Sequence, residues 1–489
     1  MHTYWVLIIS NYNHFIFLFA SSLMLWYLII SLISFREIHV YKRKNSFIDF
    51  KKLLSSPYTP AISIIAPAFN EGKTIISNVH SLLSLQYPRF EVIIINDGSA
   101  DSTLKKLIKE FSLVLVDFAY HEHVQTGPVR GIYKSTNPAY TKLLVLDKVN
   151  RKNKADALNT GLNIASHPYY VCCDVDCIID NQALLKLIKP VLDEEKRVIA
   201  NGAVIRIANG CDVEKGFLVN IKAPKNFLTR IQEVEYLRSF LLGRMAWSKL
   251  NGLIIVSGGI GLFEKEVAVT VGGYDTNSFG EDMEMTVRMR RYMNNHGQEC
   301  MVKYIPESLC WTEVPPNLKI FIKQRVRWTK GLVQTLFDHR SMWFNSKYGR
   351  LGVLSFPFWI IYEWLAPLVE FLGLLVYIYL ILVGMINFEY ALLLLGFVFS
   401  FAVMITTLSI LWGEFTNQVY KSKREIFQLL VAVFLEPIFY HPIIILSSIK
   451  GNLSILFDSK HQWGDMGRME MEEPELPFLT EPVLIKPEG

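Results

Sequence analysis

Two carboxylates separated by one residue, Asp174 and Asp176, follow a short apolar run that begins at Tyr169. The run predicts a buried strand, and side chains two residues apart on an extended chain point in the same direction. The strand end would thus offer two oxygen ligands to one hard cation, Mg²⁺ or Mn²⁺, beside a diphosphate. A solvated Asp-X-Asp turn is the alternative, because the pattern is short and common.

The segments around this strand indicate a parallel α/β sheet. Strand-like runs alternate with helix-like segments up to Asp174, which is typical of βαβ units. The other strands of this region are predicted at Ile62–Pro67, Phe90–Ile95, Val114–Asp117 and Leu143–Leu146. The intervening helices are predicted at Lys73–Leu85, at Asp101–Phe111 and from Lys154 onward.

Polar residues follow the carboxyl ends of these strands, where ligands bind in sheets of this kind. They are Asn70, Glu71, Asp97, Asp147, Asp174 and Asp176. Each could cap the helix that follows it, but together they predict a carboxylate-rich cleft. The glycine-rich loops of dinucleotide and ATP or GTP sites do not occur in the sequence. Phosphate charge would then be met by a metal ion and by a basic side chain such as Lys154.

A second group of candidate residues lies further along the chain. Asp282 ends a glycine-rich loop and would begin a helix over Met283–Tyr292, where the helix dipole also favours a carboxylate. It could be a helix cap or a general base that takes a proton from an acceptor hydroxyl. Glycines in the predicted strand Ile254–Phe263 indicate close approach of a ligand. The amphipathic helix Phe227–Leu242 could be solvated or could line an acceptor cleft.

The predicted helix Ile320–Phe337 carries Gln324, Arg325, Arg327 and Trp328 among apolar residues. Snorkelling arginines and an anchoring tryptophan are typical of a helix at the membrane interface. Arginine also suits a diphosphate, because its planar guanidinium donates two parallel hydrogen bonds. The two roles are compatible.

The composition excludes several classes of protein. Of the 489 residues 51% are hydrophobic, and the mean hydropathy of +0.25 is too high for a purely soluble protein. The net charge of +5 is modest, and no basic stripe with interleaved aromatic residues argues for nucleic acid. The six cysteines lack a zinc-type spacing and are expected to be buried thiols in a reducing compartment. His121 and His123 lack a third ligand, so an exposed loop is predicted over Phe118–Tyr140.

Apolar segments towards both ends predict a membrane protein. Phe15–Phe35 has the length of a retained membrane-spanning helix, and the basic residues after it mark the cytoplasmic side. Two further spans are expected within residues 365–412, after an interfacial or re-entrant segment that ends at about Trp364. Residues 425–448 could form a third C-terminal span or an interfacial helix, because Glu436-Pro437 and His441-Pro442 would be costly in lipid.

Six motifs occur in order along the chain. They are Ala66-Pro-Ala-Phe-Asn-Glu71, Asn96-Asp-Gly-Ser99, Lys154-Ala-Asp-Ala-Leu-Asn159, Asp174-Val-Asp176, Glu281-Asp282 and Gln324-Arg-Val-Arg-Trp328. In this order they resemble the membrane-embedded family-two glycosyltransferases with a GT-A fold, whose members include cellulose, hyaluronan, chitin and poly-N-acetylglucosamine synthases. The resemblance covers Pro60 to Trp328 by motif and the membrane segments by architecture.

The resemblance implies that the first four motifs bind the nucleotide-sugar donor. The nucleotide-binding residues that it implies are Ala66, Pro67, Phe69, Glu71, Asp97, Lys154, Asp156 and Asp174. Of these, Lys154 would lie near the diphosphate and Asp156 near the nucleotide. Asp174 and Asp176 would hold the Mg²⁺ or Mn²⁺ through which the diphosphate binds.

The later motifs would serve transfer, the acceptor and gating. The implied catalytic residues are Asp282, as the general base, and Glu281. The implied acceptor residues are Ser257 and Gly258, which also lie beside the donor sugar, and Trp328; Gln324 and Arg327 would bind the leaving diphosphate. The tail segment Gln462–Arg468 resembles the segment that closes over the nucleotide in hyaluronan synthases, with Trp463 and Arg468 in gating roles. A chance Trp-Gly turn is the alternative there.

These expectations define a domain plan. It comprises an N-terminal transmembrane helix (1–36), a cytoplasmic linker (37–59), a cytoplasmic GT-A domain (60–316), interfacial helices (317–364), two transmembrane helices (365–412), the ambiguous segment (425–448) and a tail (449–489). The protein would be a multi-pass protein of the cell membrane.

The function implied is inverting, metal-dependent transfer of a sugar from a UDP-sugar to a growing β-linked glycan, of the N-acetylglucosamine or glucose type, which is then threaded through the membrane helices. Non-processive glycosylation of a lipid is the alternative, because three clear spans make a thin channel. A dimer or an accessory export protein could complete such a channel. A non-catalytic scaffold is disfavoured because the motif carboxylates and Arg327 are intact.

Overall fold

A ten-stranded mixed sheet forms the centre of the protein, in a computed structural model that describes residues 2–45 and 54–457. The strands are β1 (Ile62–Ala68), β2 (Phe90–Asn96), β3 (Leu113–Val116), β4 (Val129–Ser135), β5 (Leu143–Lys148), β6 (Tyr169–Cys173), β7 (Ile178–Ile179), β8 (Arg197–Ile207), β11 (Ile260–Glu264) and β12 (Cys300–Thr312), and β9 (Asp212–Glu214) and β10 (Phe217–Asn220) form a separate hairpin. Their order in the sheet is β3-β4-β5-β2-β1-β6-β11-β8-β12-β7.

The helices follow the strands in alternation and then continue alone. They are α1 (His2–Asn45), α2 (Ile75–Leu83), α3 (Thr103–Glu110), α4 (Lys154–Ile164), α5 (Ala183–Asp193), α6 (Phe227–Leu237), α7 (Lys265–Thr270), α8 (Glu281–Asn295), α9 (Leu318–Asp338), α10 (Ala366–Leu382), α11 (Phe388–Asn417), α12 (Lys423–Leu435) and α13 (His441–Phe457). Wider, π-helical turns occupy Arg238–Arg244, Leu351–Ser355, Trp359–Trp364 and Glu436–Tyr440.

Four parallel strands at the centre of the sheet, β5, β2, β1 and β6, determine where the polar residues meet. Their continuous apolar runs are buried on both faces, as expected for a sheet covered by helices. Helix α4 packs very closely on β1, since a Cβ at Gly161 would lie 2.3 Å from Cγ2 of Ile65. This close packing holds the first turn of α4, and with it Lys154, over the strand ends.

The predicted α/β GT-A fold class is confirmed, but three local predictions need correction. The segment predicted as a loop over Phe118–Tyr140 contains β4, which pairs antiparallel with β3 and β5. The strand predicted over Ile254–Phe263 begins only at Ile260, and the residues before it form an irregular loop. Strand β12 was not predicted, because three register shifts against β8 interrupt its pattern.

Four helical segments are long and apolar enough to cross a membrane, judged by length and composition among the described residues. They are Ser10–Asn45, Leu351–Leu382, Phe388–Asn417 and Lys423–Ile455. The second includes the π-helical turns before α10, and the fourth includes the segment whose span was ambiguous in sequence. Pro357 and Pro437 lie within or beside these turns, and proline widens helices because it removes a backbone donor.

Three charged or titratable residues of these apolar segments, Glu370, Glu436 and His441, are paired, and the partner of Glu436 is Arg238, which lies outside the segments. Arg238 contacts Glu436 at 3.3 Å and donates to Thr406 Oγ1 at 2.9 Å. His441 Nε2 lies 2.6 Å from Glu370 Oε2. Intramembrane charges are costly unless paired or solvated, so these contacts explain how the apolar helices accommodate them.

Candidate active site

The carboxyl ends of the central strands bring together the polar residues that the sequence singles out. A small cavity of about 40 Å³ lies there, and its lining includes Pro67, Phe69, Glu71, Asp97, Asp174 and Asp176. Ala66 is buried one residue earlier on β1. The rim expected from strand order is therefore a continuous surface.

The turn after β1 is held by the turn after β2. Asn70 adopts a left-handed backbone conformation with φ of 57°. Its backbone N–H donates to Ser99 Oγ at 3.0 Å, and its side-chain oxygen accepts from the N–H of Ala100 at 2.9 Å. These reciprocal hydrogen bonds set the position of Glu71 beside the cavity.

Lys148, at the end of β5, links two of the implied nucleotide residues. Its side chain is fully buried and donates to Asp97 Oδ1 at 3.1 Å, to the carbonyl of Val149 at 3.0 Å and to Asp156 Oδ2. Asp156 also accepts from the N–H of Gly127 at 2.9 Å. Lys148 was not predicted from the sequence. Two carboxylates at buried positions require a nearby cation, and this requirement could have directed attention to a lysine at the end of β5.

Asp147, the remaining rim carboxylate, points to different partners. It accepts from Asn96 Nδ2 and from Arg130 Nη2, both at 2.7 Å, and lines neither cavity described for this site. The contacts therefore make Asp147 a brace between β2, β4 and β5.

Lys154 lies at the centre of a charged cluster. Its ammonium contacts Asp174 Oδ1, lies 4.0 Å from Glu281 Oε1 and donates to the carbonyl of Gly258 at 3.4 Å. Although burial disfavours the ammonium form, the carboxylates of Asp174 and Glu281 raise the pKa of Lys154 above its ordinary value. The cluster thus holds a permanent positive charge beside the Asp-X-Asp motif.

The Asp-X-Asp motif has a donor set that fits a divalent cation. Oxygens of Asp174 and Asp176 and the sulfur of Cys177 lie within 4.8 Å of one another. Carboxylate oxygens are the ligands that Mg²⁺ and Mn²⁺ prefer, whereas a thiol is a soft ligand. Cys177 is buried, as predicted for the cysteines, so the two aspartates are the fitting ligands.

The loop before α8 is fixed by a paired amide. Asn159 Nδ2 donates to the carbonyl of Tyr274 at 2.8 Å, and the N–H of Tyr274 donates back to Asn159 Oδ1 at 2.7 Å. A Cβ at Gly273, where φ is +71°, would lie 2.5 Å from that same oxygen. The last residue of the Lys154–Asn159 motif thereby positions the start of α8.

Asp282 lies in the first turn of α8, and its two carboxylate oxygens have different surroundings. Its Oδ1 accepts from the N–H of Met283 at 2.8 Å, which is a cap-like contact. Its Oδ2 faces Gly258, where an added Cβ would lie only 3.5 Å away. Beside it, burial raises the pKa of Glu281, with Lys154 opposing this effect and Asp282 adding to it. One oxygen of Asp282 is thus directed at the cavity that Ser257 and Gly258 also line.

Helices α8 and α9 meet at two glycines. A Cβ at Gly331 would lie 2.9 Å from both the Cα and the N of Gly280. Gln334 of α9 also accepts from the N–H of Phe279 at 3.0 Å. Asp282, just after this crossing, and the Gln324–Trp328 motif line the same large cavity.

We expect Gly331→Ala to lower the rate of sugar transfer by about a hundredfold, because backbone atoms cannot yield and a displacement of about 1 Å at a reacting group has an effect of that size. The control is Lys319→Ala, which changes an exposed residue of the same helix that lines neither cavity described for this site. Turnover of both purified variants measures the effect. Equal turnover of Gly331→Ala and the unmodified protein would contradict the role of the crossing.

Arg325, which the sequence left without a role, holds the Gln324–Trp328 motif in place. It donates two hydrogen bonds of 2.6 Å to Glu235 of α6 and one of 2.9 Å to the hydroxyl of Tyr440. Its guanidinium lies 4.4 Å from the ring centre of Trp328. Although burial opposes ionisation, Arg325 holds the pKa of Glu235 below its ordinary value. Helix α6 is therefore no solvated helix: it braces the motif.

Gln324 and Arg327 keep polar atoms for a ligand. Gln324 Oε1 and Arg327 Nε are buried without a hydrogen-bond partner among the described residues. Both residues line the large cavity, as does Trp328, which is 40% exposed. Buried polar atoms are seldom left unsatisfied, so these two atoms are available to water or to a polar ligand in the cavity.

One cavity of about 2060 Å³ extends from this site into the membrane helices. At one end its lining includes Asp174, Asp282 and Trp328, and at the other it includes side chains of α1, α10, α11 and α13. The paired charges Glu370 and His441 line it between these ends. The predicted gating residues, Trp463 and Arg468, lie outside the described residues.

Two family models match the chain along most of this architecture. Residues 63–248 match the model described as glycosyl transferase family 2, and residues 191–412 match the model described as glycosyl transferase family group 2. The chain is a family 2 glycosyltransferase. The membership that the six motifs predicted is thereby confirmed.

Curated relatives of this glycosyltransferase are bacterial polysaccharide synthases. Over 297 residues it is 29% identical to poly-beta-1,6-N-acetyl-D-glucosamine synthase of Staphylococcus epidermidis, covering 61% of this chain and 60% of that protein. Over 340 residues it is 28% identical to the synthase of the same name from Staphylococcus aureus strain COL, covering 69% of each. The matched region thus spans about three fifths of the first of these relatives.

Solved glycosyltransferase structures resemble the chain more distantly. A mannosyltransferase from Pyrobaculum calidifontis, in complex with GDP-Man and Mn²⁺, aligns with a TM-score of 0.49 at 17% identity and covers 90% of this chain and all of that one. Staphylococcus aureus TarS (residues 1–349) aligns at 0.38 and 12% identity, over 81% of this chain and 91% of that one. At these TM-scores the two structures add nothing to the assignment.

Proposed function

We propose that this glycosyltransferase transfers a hexosyl group from a UDP-sugar to the hydroxyl of a growing glycan, with inversion at the anomeric carbon. The observation that carries the proposal is the cavity shared by the Asp-X-Asp motif, Asp282, Trp328 and the membrane helices. A site for a small acceptor would not need to continue between four long apolar helices. The similarity to poly-N-acetylglucosamine synthases supports a polysaccharide product.

The donor would bind across the ends of β1, β2 and β6. The residues proposed to hold the nucleotide are Ala66, Pro67, Phe69, Glu71, Asp97 and Asp156. Lys154 would donate to the diphosphate, because its ammonium already lies among the carboxylates that a diphosphate–metal complex would meet. Arg327 would donate from its unpaired, buried Nε to the leaving diphosphate. Gln324 would donate to the same group from its side-chain amide nitrogen, Nε2.

Asp174 and Asp176 would hold Mg²⁺ or Mn²⁺. Such a cation supplies positive charge that stabilises the diphosphate as it leaves. Lys154 and Arg327 act on the same charge from the protein side. Lys154 would also order the donor, because its ammonium is held by Asp174 and the carbonyl of Gly258.

Asp282 would act as the general base. Its Oδ1 is held by the N–H of Met283, which leaves Oδ2 to take the proton from an acceptor hydroxyl near Ser257 and Gly258. A single displacement by that hydroxyl inverts the anomeric configuration. Trp328 would stack on the acceptor terminus, since its ring is held by Arg325 and exposed in the cavity.

The glycan would leave through the part of the cavity between α1, α10, α11 and α13. The basic residues in the last turn of α1, Lys42, Arg43 and Lys44, support a catalytic domain on the cytoplasmic side of the cell membrane. If the four helices do not surround the glycan on all sides, a second copy of the chain or an accessory protein would complete the passage. Transfer to a lipid acceptor is the second candidate, favoured by the apolar lining that Leu23, Leu395 and Phe399 give the distal cavity.

Product analysis tests the proposal and separates its two forms. The purified full-length protein is incubated with Mn²⁺ and a panel of UDP-sugars, and the products are sized. We expect a polymer whose length grows with time from one UDP-hexose or UDP-N-acetylhexosamine. A single sugar added only when lipid is supplied would replace the polymer proposal by the lipid one, and turnover of no nucleotide sugar would refute both.

A further inference from the structure

Lys148 is the one side chain that joins Asp97 and Asp156 in the described structure. An ammonium group has three N–H donors, and all three have acceptors here: Asp97 Oδ1, Asp156 Oδ2 and the carbonyl of Val149. The side chain is fully buried. Lys148 therefore has no donor left for a ligand, and any effect it has on a ligand must pass through Asp97 or Asp156.

Asp97 keeps one oxygen for a ligand. Its Oδ1 accepts from Lys148, and no protein donor reaches its Oδ2 within residues 2–45 and 54–457. The residue lines the small cavity together with Glu71, Asp174 and Asp176. The free oxygen is thus available at the place proposed for the nucleotide.

Lys148 also controls the charge of Asp97. Burial raises the pKa of Asp97, Lys148 opposes this shift, and the neighbouring Asp156 carboxylate adds to it. The charged groups that shift the pKa of Asp97 are thus Lys148 from β5 and Asp156 from α4. The same small cavity is also lined by Glu71, Lys154, Asp174 and Asp176. Without the ammonium, two buried carboxylates would face each other, and one would take up a proton.

An ionised carboxylate only accepts hydrogen bonds, whereas a protonated one can also donate. Uracil and guanine carry a hydrogen on a ring nitrogen of the base-pairing edge. Cytosine and adenine carry a lone pair at the equivalent position, and it would repel a carboxylate. Where Asp97 meets the ring nitrogen of the base, an ionised carboxylate therefore favours a ring N–H, and a protonated one favours a ring lone pair.

Resting on the proposed function, we propose that Lys148 is a positioning residue that keeps Asp97 an acceptor-only carboxylate. It thereby selects a nucleotide whose base has a ring N–H donor, uracil or guanine, over one with cytosine or adenine. Lys148 itself touches no ligand.

Calorimetric titration of the full-length protein with UDP, GDP, CDP and ADP in Mn²⁺ tests this selection. The unmodified protein binds UDP or GDP at least about tenfold tighter than CDP and ADP. Comparison of the UDP and GDP affinities identifies which of the two bases the site prefers. Lys148→Met lowers the ratio of the affinity for the preferred nucleotide to the affinity for CDP by about tenfold or more. Lys148→Arg, which keeps the charge, restores most of the ratio.

Lys186→Met is the matched control. Lys186 is another largely buried lysine between two carboxylates, Asp180 at 3.2 Å and Glu307 at 3.0 Å, and it lines neither cavity of the site. Its loss leaves the nucleotide ratio unchanged. A merely structural effect of Lys148→Met would weaken all four nucleotides in parallel.

The pH dependence provides a second readout. In Lys148→Met the pKa of Asp97 rises further above its ordinary value, so the ratio of UDP affinity to CDP affinity increases as the pH is raised and Asp97 loses its proton. The unmodified protein shows a smaller change of this ratio with pH, because Lys148 opposes the rise in the pKa of Asp97.

Two outcomes separate the inference from the function it rests on. An unmodified protein that binds no nucleoside diphosphate, or binds all four equally, refutes the proposed donor site. A clear preference that stays unchanged in Lys148→Met refutes the role of Lys148. If Lys148→Met does not fold, Asp97→Asn replaces it, because its amide can donate to cytosine. An unchanged ratio in that variant also overturns the inference.

Discussion

Asp282→Asn is expected to lower the rate of sugar transfer by about 10²- to 10⁴-fold, with the affinity for UDP unchanged. Asparagine has nearly the same shape, and its oxygen can still accept from the N–H of Met283. The start of α8 should therefore be preserved, while the group that takes the proton is lost. Single-turnover transfer and calorimetric UDP binding, measured on the same preparation, check the two halves of the prediction.

Two further variants make this test specific. Asp275→Asn changes a carboxylate in the same loop, whose Oδ1 accepts from the N–H of Asn277 at 2.9 Å, and it should keep full turnover. Glu281→Gln removes a neighbour of Lys154, so it should weaken donor binding more than the chemical step. Turnover by Asp282→Asn at the rate of Asp275→Asn would remove the base assignment.

The sequence predicted the central strands well because their signal is local. Four apolar runs end in polar residues, and parallel pairing then brings those ends together without any further information. The same logic failed for Ile254–Phe263, where Gly258-Gly259 interrupts a run that is apolar enough to be a strand. That interruption leaves Ser257 and Gly258 in a loop facing Asp282, so the failed strand prediction coincides with the candidate site.

Other parts of the site depend on partners that are distant in sequence. Arg325 is bound by Glu235, which lies 90 residues earlier and on another helix. Nothing in the local pattern of α6 distinguishes a bracing carboxylate from one on a solvated face. Lys148 was similarly hidden at the end of an apolar strand, although its two acidic partners had been singled out. Such pairings become visible only when the sheet and helices are assembled.

The two aspartates of the Asp-X-Asp motif are expected to differ when tested. Asp174 contacts the ammonium of Lys154. Removing Asp174 would therefore delete a proposed cation ligand and would also release a buried ammonium, so two effects would be mixed. Asp176→Asn is the cleaner variant, because the Lys154–Asp174 pair remains intact.

Asp176→Asn should abolish transfer and remove the dependence of UDP affinity on Mn²⁺ or Mg²⁺, while the weaker, metal-free binding of UDP persists through Lys154. Calorimetric titration of UDP with and without the cation measures this difference directly. Asp180→Asn is the control, since Asp180 pairs with Lys186 at 3.2 Å and lines neither cavity of the site. UDP binding that still strengthens with the cation in Asp176→Asn would show that this carboxylate is no ligand. The motif would then act through Asp174 and Lys154 alone, as an ion pair that orders the diphosphate without a metal.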